Sequence, residues 1–249
     1  MIDSERLREV ITGLLGFAAT EEEVLLTTAL SGSAADAVAF GDTGDERRWA
    51  AVPTVAHNTE FKAQQAERLT AVLAGREPPA FGDIDHGSAE VYAGYAARTA
   101  DLVVAESRQV TAALLDGIRA LRDEDLLDPA RHAWLRGRSL WLQIVVRGFW
   151  HPTGHVGEYY LAHGRPERAV ALHEQALATA RYLGAPDQAA GMAAYSLACA
   201  QAVWGRTSEA RDTLVEAIAL NGEVRANAER DPDLAALRDS GQLTAILAG

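Results

Sequence analysis

The sequence predicts an all-α protein, a four-helix bundle over residues 1–163 followed by a short array of helical hairpins over residues 164–249. Three observations lead there. Apolar residues recur three and four apart through most of the chain, the period of a helix packed on one face. Alternating valine-rich segments and Asn-Gly turns are missing, so strands have little to start from. Beyond residue 163 the helices become shorter and richer in alanine, and they stop at Gly184, Gly205 and Gly222.

The elements follow in order. "SERLREVITGLLG" places Leu7, Val10, Ile11 and Leu14 on one helical face, with Ser4 as the expected cap. "TEEEVLLTTAL" opens with Thr20 and Glu23, the spacing of a capping box and hence of a second helix start. Residues 31–46 carry several breakers and are left unassigned. "VPTVAHNTEFKAQQAERLTAVLAG" begins at Pro53, a favourable first helical position, and stops at Gly75. A long helix is expected from Ser88 to about Arg122, with Val91, Leu102, Val110, Leu114, Ile118 and Leu121 on its apolar face, and another from Ser139 to His163. Long helices joined by short or medium connections make a bundle.

The bulk numbers bound the function. A chain of 249 residues with 48% hydrophobic and 23% charged residues has the balance of an ordinary globular protein. Its net charge of −12 disfavours binding to nucleic acid or anionic lipid. One cysteine, Cys199, excludes an internal disulfide, and neither a signal peptide nor a membrane-spanning run is expected. The expected location is the cytoplasm.

"WHPTGHVGEYY" puts His151 and His155 four apart, with Pro152 between them. On a helix such residues have Cβ atoms about 5–6 Å apart, which suits two imidazoles on one ion. The other reading is two polar residues beside a bent helix end. Pro152 removes the hydrogen bond to residue 148 at a cost of about 3 kcal/mol, and Gly148 is expected to relieve the clash by bending. Either the helix kinks there or Pro152 begins a second piece.

"VAHNTEFKAQQAERL" and "RGFWHPTGHVGEYYLAHGRPE" resemble segments of the DinB-like metalloproteins, a likeness that covers about the first two-thirds of the chain. That resemblance implies a divalent metal, zinc or nickel, held by His57 from the second helix and by His151 and His155 from the fourth. Three nitrogen ligands leave a coordination position open, as in a catalytic site. The family includes thiol S-transferases and isomerases that use low-molecular-weight thiols, hydrolases of reactive small molecules, and members without known catalysis. It therefore implies a small-molecule electrophile as substrate and a thiol as possible co-substrate.

Glu158, seven residues after His151 and on the same face, is the candidate partner of a ligand or proton acceptor; the alternative is a solvated carboxylate. Trp150 and Tyr159, with Trp141 and Tyr160, are candidates for lining a substrate cavity, or else plain core. Asn58 lies about 100° round the helix from His57 and is not counted in the site. His86, His132, His163 and His173 are expected to be exposed or capping, and Cys199 to be packed.

In the second half, Leu197, Ala198, Gly205, Ala210, Leu214 and Ala217 fall at the offsets of a tetratricopeptide repeat. The same template 41 residues earlier finds Val156, Gly157, Tyr160, Gly164, Ala169 and Ala176, so the helix over residues 151–163 is a candidate to serve both halves. Asp231 and Pro232 then open a closing segment. Two repeats make little concave surface, which favours a lid, buttress or homodimer contact; a peptide-binding scaffold is the rival to an enzyme.

Overall fold

A computed structural model describes residues 3–31, 49–80 and 89–248 of the protein. Every long element among them is helical, and no strand occurs among them. Most of the segment left unassigned in the sequence, residues 32–46, lies outside the described residues, as does His86. The chain divides into two compact units, Met1–Tyr159 and Tyr160–Gly249.

In the first unit, α1 (Ser4–Ser31) is one helix, not the two expected. The Thr20 hydroxyl donates back to the Gly16 carbonyl at 2.9 Å, an interior bond and no cap. Gly16 does not stop the helix because the apolar stripe runs past it, from Leu7, Val10, Ile11, Leu14 and Leu15 to Ala18, Leu25 and Leu26, all buried. Each fully buried leucine contributes roughly 1.5–3 kcal/mol, which outweighs the glycine's intrinsic penalty of about 1 kcal/mol. The cap is Asp3, whose Oδ1 accepts from the Arg6 amide at 2.8 Å; Ser4 is the first helical residue.

α2 (Ala51–Leu73) ends as the sequence predicts. Gly75 has φ +66°, and the Arg76 amide returns to the Ala71 carbonyl at 2.9 Å, the six-to-one bond of a glycine-terminated helix. The long helix expected from Ser88 to Arg122 is instead α3 (Ala89–Ala96) and α4 (Ala100–Ala120). Thr99 makes the break: its backbone is extended and its side chain accepts from the Leu102 amide. The rest of the expected face holds, with Leu114, Ile118 and Leu121 buried. Val103 is buried and Leu102 is 47% exposed, contrary to the expectation for Leu102.

α5 (Asp123–Leu127) follows, then α6 (Leu140–Val145), a π-helical segment (Val146–Trp150) and α7 (His151–Ala162), continuous in sequence. Pro152 neither starts a new helix nor breaks this one. The His151 amide bonds to the Val146 carbonyl, five residues back, so the chain widens by one residue just before the residue that cannot donate. The Thr153 hydroxyl donates to the Phe149 carbonyl at 2.8 Å. Gly148 is required for a different reason from the one expected: a Cβ there would lie 2.8 Å from Leu15 Cγ of α1. Within this unit α1 packs on α2, α4, α6 and the π segment, and α2 packs on α4 and the π segment.

Buried polar groups cross these packings. Lys62 of α2 donates to Glu22 of α1 at 2.6 Å and to Ser107 of α4 at 3.0 Å, with both charged side chains almost wholly enclosed. Asn58 Nδ2 donates to the Pro152 carbonyl at 3.4 Å, so α2 is tied to the proline turn.

The second unit contains α8 (Pro166–Tyr182), α9 (Asp187–Val203) and α10 (Thr207–Leu220). α9 packs on both neighbours and is buried almost all round, which its small residues permit. A Cβ at Gly191 would stand 2.6 Å from Asn221 Cβ, so that crossing depends on glycine. Leu197, Ala198, Ala210, Leu214 and Ala217 are buried, and Gly184 and Gly205 end their helices at positive φ. His173, expected at the surface, is buried on the inner stripe of α8 with Val170 and Leu177. Short helices α11 (Val224–Ala228), α12 (Ala235–Asp239) and α13 (Gln242–Ala248) finish the chain. Asp231 caps the 3-10 turn Pro232–Leu234 by accepting from the Asp233 amide at 2.9 Å, as the sequence predicts.

Candidate metal centre

Ninety-four residues separate His57 from His151, yet α2 and the proline turn bring their rings together. Ring centroids are 5.2 Å apart for His57 and His151, 4.8 Å for His57 and His155, and 4.4 Å for His151 and His155. One nitrogen from each ring lies within 4.8 Å of the other two. Nitrogens at about 2.1 Å from a tetrahedral zinc stand about 3.4 Å apart, a spacing that falls inside this range. The donors also suit a borderline divalent ion, being three imidazoles with no carboxylate or thiolate among them. His57 is 1% exposed; the other two are half-buried.

Glu158 reaches the site indirectly. Its Oε2 lies 2.9 Å from His155 Nδ1. An ionised carboxylate can only accept, so Nδ1 carries the proton in this pair, and in a neutral ring Nε2 keeps its lone pair. The contact thus fixes both the tautomer and the ring plane of one candidate ligand.

Sequence reasoning missed the aromatic wall. Phe61 stacks on His151 at 4.2 Å and lies 4.7 Å from His57, while Trp49 and Tyr95 meet His57 edge-on at 5.5 and 6.1 Å. Tyr95 is itself anchored, its hydroxyl donating to Glu60. The Arg147 guanidinium lies 4.5 Å over Phe61 on α6's continuation. Phe61 and Arg147 each stand one helical turn from a histidine, four after His57 and four before His151. That offset was the available signal; nothing in the sequence marks Trp49. Of the residues the sequence suggested as cavity lining, Trp150 is half-buried directly before His151, and Tyr159, four after His155, is buried. Asn58, set aside at sequence level, holds the two histidine-bearing helices in register through the Pro152 carbonyl.

A second cluster, Cys199, Asp231 and Asp233, belongs to the other unit. Asp231 Oδ2 accepts from the Tyr195 hydroxyl at 2.6 Å and from Cys199 Sγ at 3.6 Å. Burial, and then the Asp231 charge, push the Cys199 thiol well above its ordinary range. Burial likewise pushes the Tyr195 hydroxyl up, with the nearby sulfur and carboxylate adding to it. Through these bonds Asp231, which caps the turn after it, ties the closing segment to α9. His132 faces the Asp125 carbonyl at 2.9 Å, a local tie, and His163 is half-buried before Gly164.

Comparisons of the chain with protein-family models, with curated proteins and with solved structures gave no match.

Proposed function

We propose that this chain is a divalent-metal-dependent enzyme acting on a small electrophilic metabolite by thiol transfer or thiol-assisted isomerisation. In this reading residues 1–163 form a DinB-like bundle, residues 164–249 a tetratricopeptide-like array, and zinc or nickel sits on His57, His151 and His155. The observation that carries the proposal is the convergence of three imidazoles from two helices, with ligand atoms within 4.8 Å of one another. Three protein ligands leave a position for a small molecule, and an ion so held lowers the pKa of a thiol or water placed there. The chain's own residues do the rest. Glu158 orients His155, Phe61 fixes the plane of His151, and Trp49 and Tyr95 exclude water from the His57 side. Trp150 and Tyr159 are proposed to contact substrate.

The test is turnover of a panel of model electrophiles by metal-loaded protein, with and without a low-molecular-weight thiol. Thiol-dependent loss that disappears on chelation is expected, together with an intense sulfur-to-cobalt absorption band when cobalt-substituted protein meets the thiol. Metal-dependent loss without thiol makes the chain a hydrolase. No turnover over the panel with metal bound overturns the enzyme reading in favour of a repeat-based scaffold.

A further inference from the structure

Two stripes of side chains run away from the histidines in opposite chain directions within the first unit. On α2 the spacing is His57, Phe61, Gln65 and Arg68; along α7, the π segment and α6 it is His155, His151, Arg147 and Gln143. α2 packs on the π segment, ring contacts pair His57 with His151 and His155 and Phe61 with His151 and Arg147, and Arg68 and Gln143 line one cavity. The seam therefore begins at the candidate metal centre and ends at Arg68, about 16 Å further along the α2 axis at 1.5 Å per residue.

At that end lies an open cavity of about 330 Å³, lined by Arg68, Trp134, Leu135, Arg136, Arg138 and Gln143. Its size is that of a small-molecule site. Three of the six lining residues are guanidiniums, in a chain whose net charge is −12. A fourth, Arg147, stands between this cavity and the imidazoles and feels the charge of Arg68. Among the described residues no carboxylate pairs with Arg147 or Arg136. Burial holds the Arg68 guanidinium below its ordinary range, and burial followed by the Arg68 charge does the same to Arg147. Like charges in a half-buried setting repel at several times their strength in water, and a bound anion reverses the sign of that interaction.

The cavity rim is also conformationally unusual. Arg136 has φ +53°, the sole non-glycine with positive φ among the described residues, and Gly137 follows at φ +84°. Arg136 ends the 3-10 turn Ala133–Leu135 in the left-handed region, which turns the chain at the cavity rim.

We propose that this arginine-lined cavity binds an oxyanion, a phosphate ester or a carboxylate. The anion is the tail of the small molecule whose reacting end meets the histidines. The identity of the tail as part of a substrate rests on the metal-enzyme reading; the anion site itself does not. Guanidiniums recognise both oxyanions by paired N–H donors, and three of them in one cavity favour the doubly charged phosphate.

The test uses metal-free full-length protein, titrated with inorganic phosphate and separately with succinate against sodium chloride of equal ionic strength. The indole N–H resonance of Trp134, assigned with Trp134→Phe, is followed by NMR. A saturable shift with phosphate or succinate, absent with chloride, is expected, and the ligand that saturates first identifies the class. Arg68→Gln should weaken it at least about tenfold, and so should the exposed pair Arg136→Gln with Arg138→Gln, which leaves the helices intact. His155→Ala should leave it unchanged, so that failure at the metal and failure at the anion are read separately. A shift that does not saturate, that chloride reproduces, or that survives both sets of arginine variants would overturn the proposal.

Discussion

At residue scale, the contact that most shapes the candidate site is Glu158 to His155 Nδ1, at 2.9 Å. A glutamine there keeps a hydrogen-bonding oxygen but loses the charge that makes the imidazole a better donor to an ion. Glu158→Gln is therefore expected to weaken zinc binding by about 10-fold and Glu158→Ala by about 100-fold, measured by competition with a chromophoric chelator. Asp125 offers a separate test by pH. Burial alone would raise its carboxyl, but hydrogen bonds from Arg122 and Arg131 prevail and hold it below the ordinary carboxylate range. A group depressed in the folded state stabilises above its unfolded pKa and loses that contribution as pH falls through the folded value. Asp125→Asn should thus cost about 2 kcal/mol in urea unfolding at pH 7, with the difference from wild type shrinking below about pH 4. Residues of this kind are poorly legible in sequence. His57 joins His151 and His155 in sequence only through the likeness of two short segments to the DinB-like metalloproteins, and Asn58 carries no sequence mark because its bond to the Pro152 carbonyl depends on a partner 94 residues away.

Element by element, the chain shows where local signals fail. Thr20 with Glu23 has capping-box spacing, but a buried apolar stripe on both sides carries α1 through. Thr99 lacks a glutamate or glutamine at the third position, so its cap has no capping-box mark, and Val103 takes the buried position expected for Leu102. Helix type and the ends at Gly75, Gly184 and Gly205 were legible because glycine at positive φ is a local requirement. Two element packings give predictions. Gly148→Ala drives a Cβ to 2.8 Å from the enclosed Leu15, and should destabilise by about 1–3 kcal/mol, read as a lower denaturation midpoint. Removing one partner of the enclosed Lys62–Glu22 pair strands a charge between α1 and α2. Lys62→Met should cost about 3–5 kcal/mol, and adding Glu22→Leu should recover most of it; a double variant no better than the single would refute this account of the pair.

For the whole molecule, the all-helical class was legible from hydrophobic period alone, and no helix of the described residues is long and apolar enough to cross a membrane. Two features of the first unit were not. The widened turn at Val146–Trp150 has no sequence mark beyond Pro152, and the seam from the histidines to Arg68 exists only once α2 lies against the π segment. Both bear on the same centre, the three histidines. The direct measurement is metal content per chain, by elemental analysis of protein purified without an affinity tag, for wild type and for His57→Ala, His151→Ala and His155→Ala. The wild type is expected to hold about one zinc or nickel ion and each variant to lose most of it, with helicity by circular dichroism unchanged. Full occupancy in His155→Ala, or no divalent metal in wild-type protein after reconstitution with excess zinc and nickel, would contradict it.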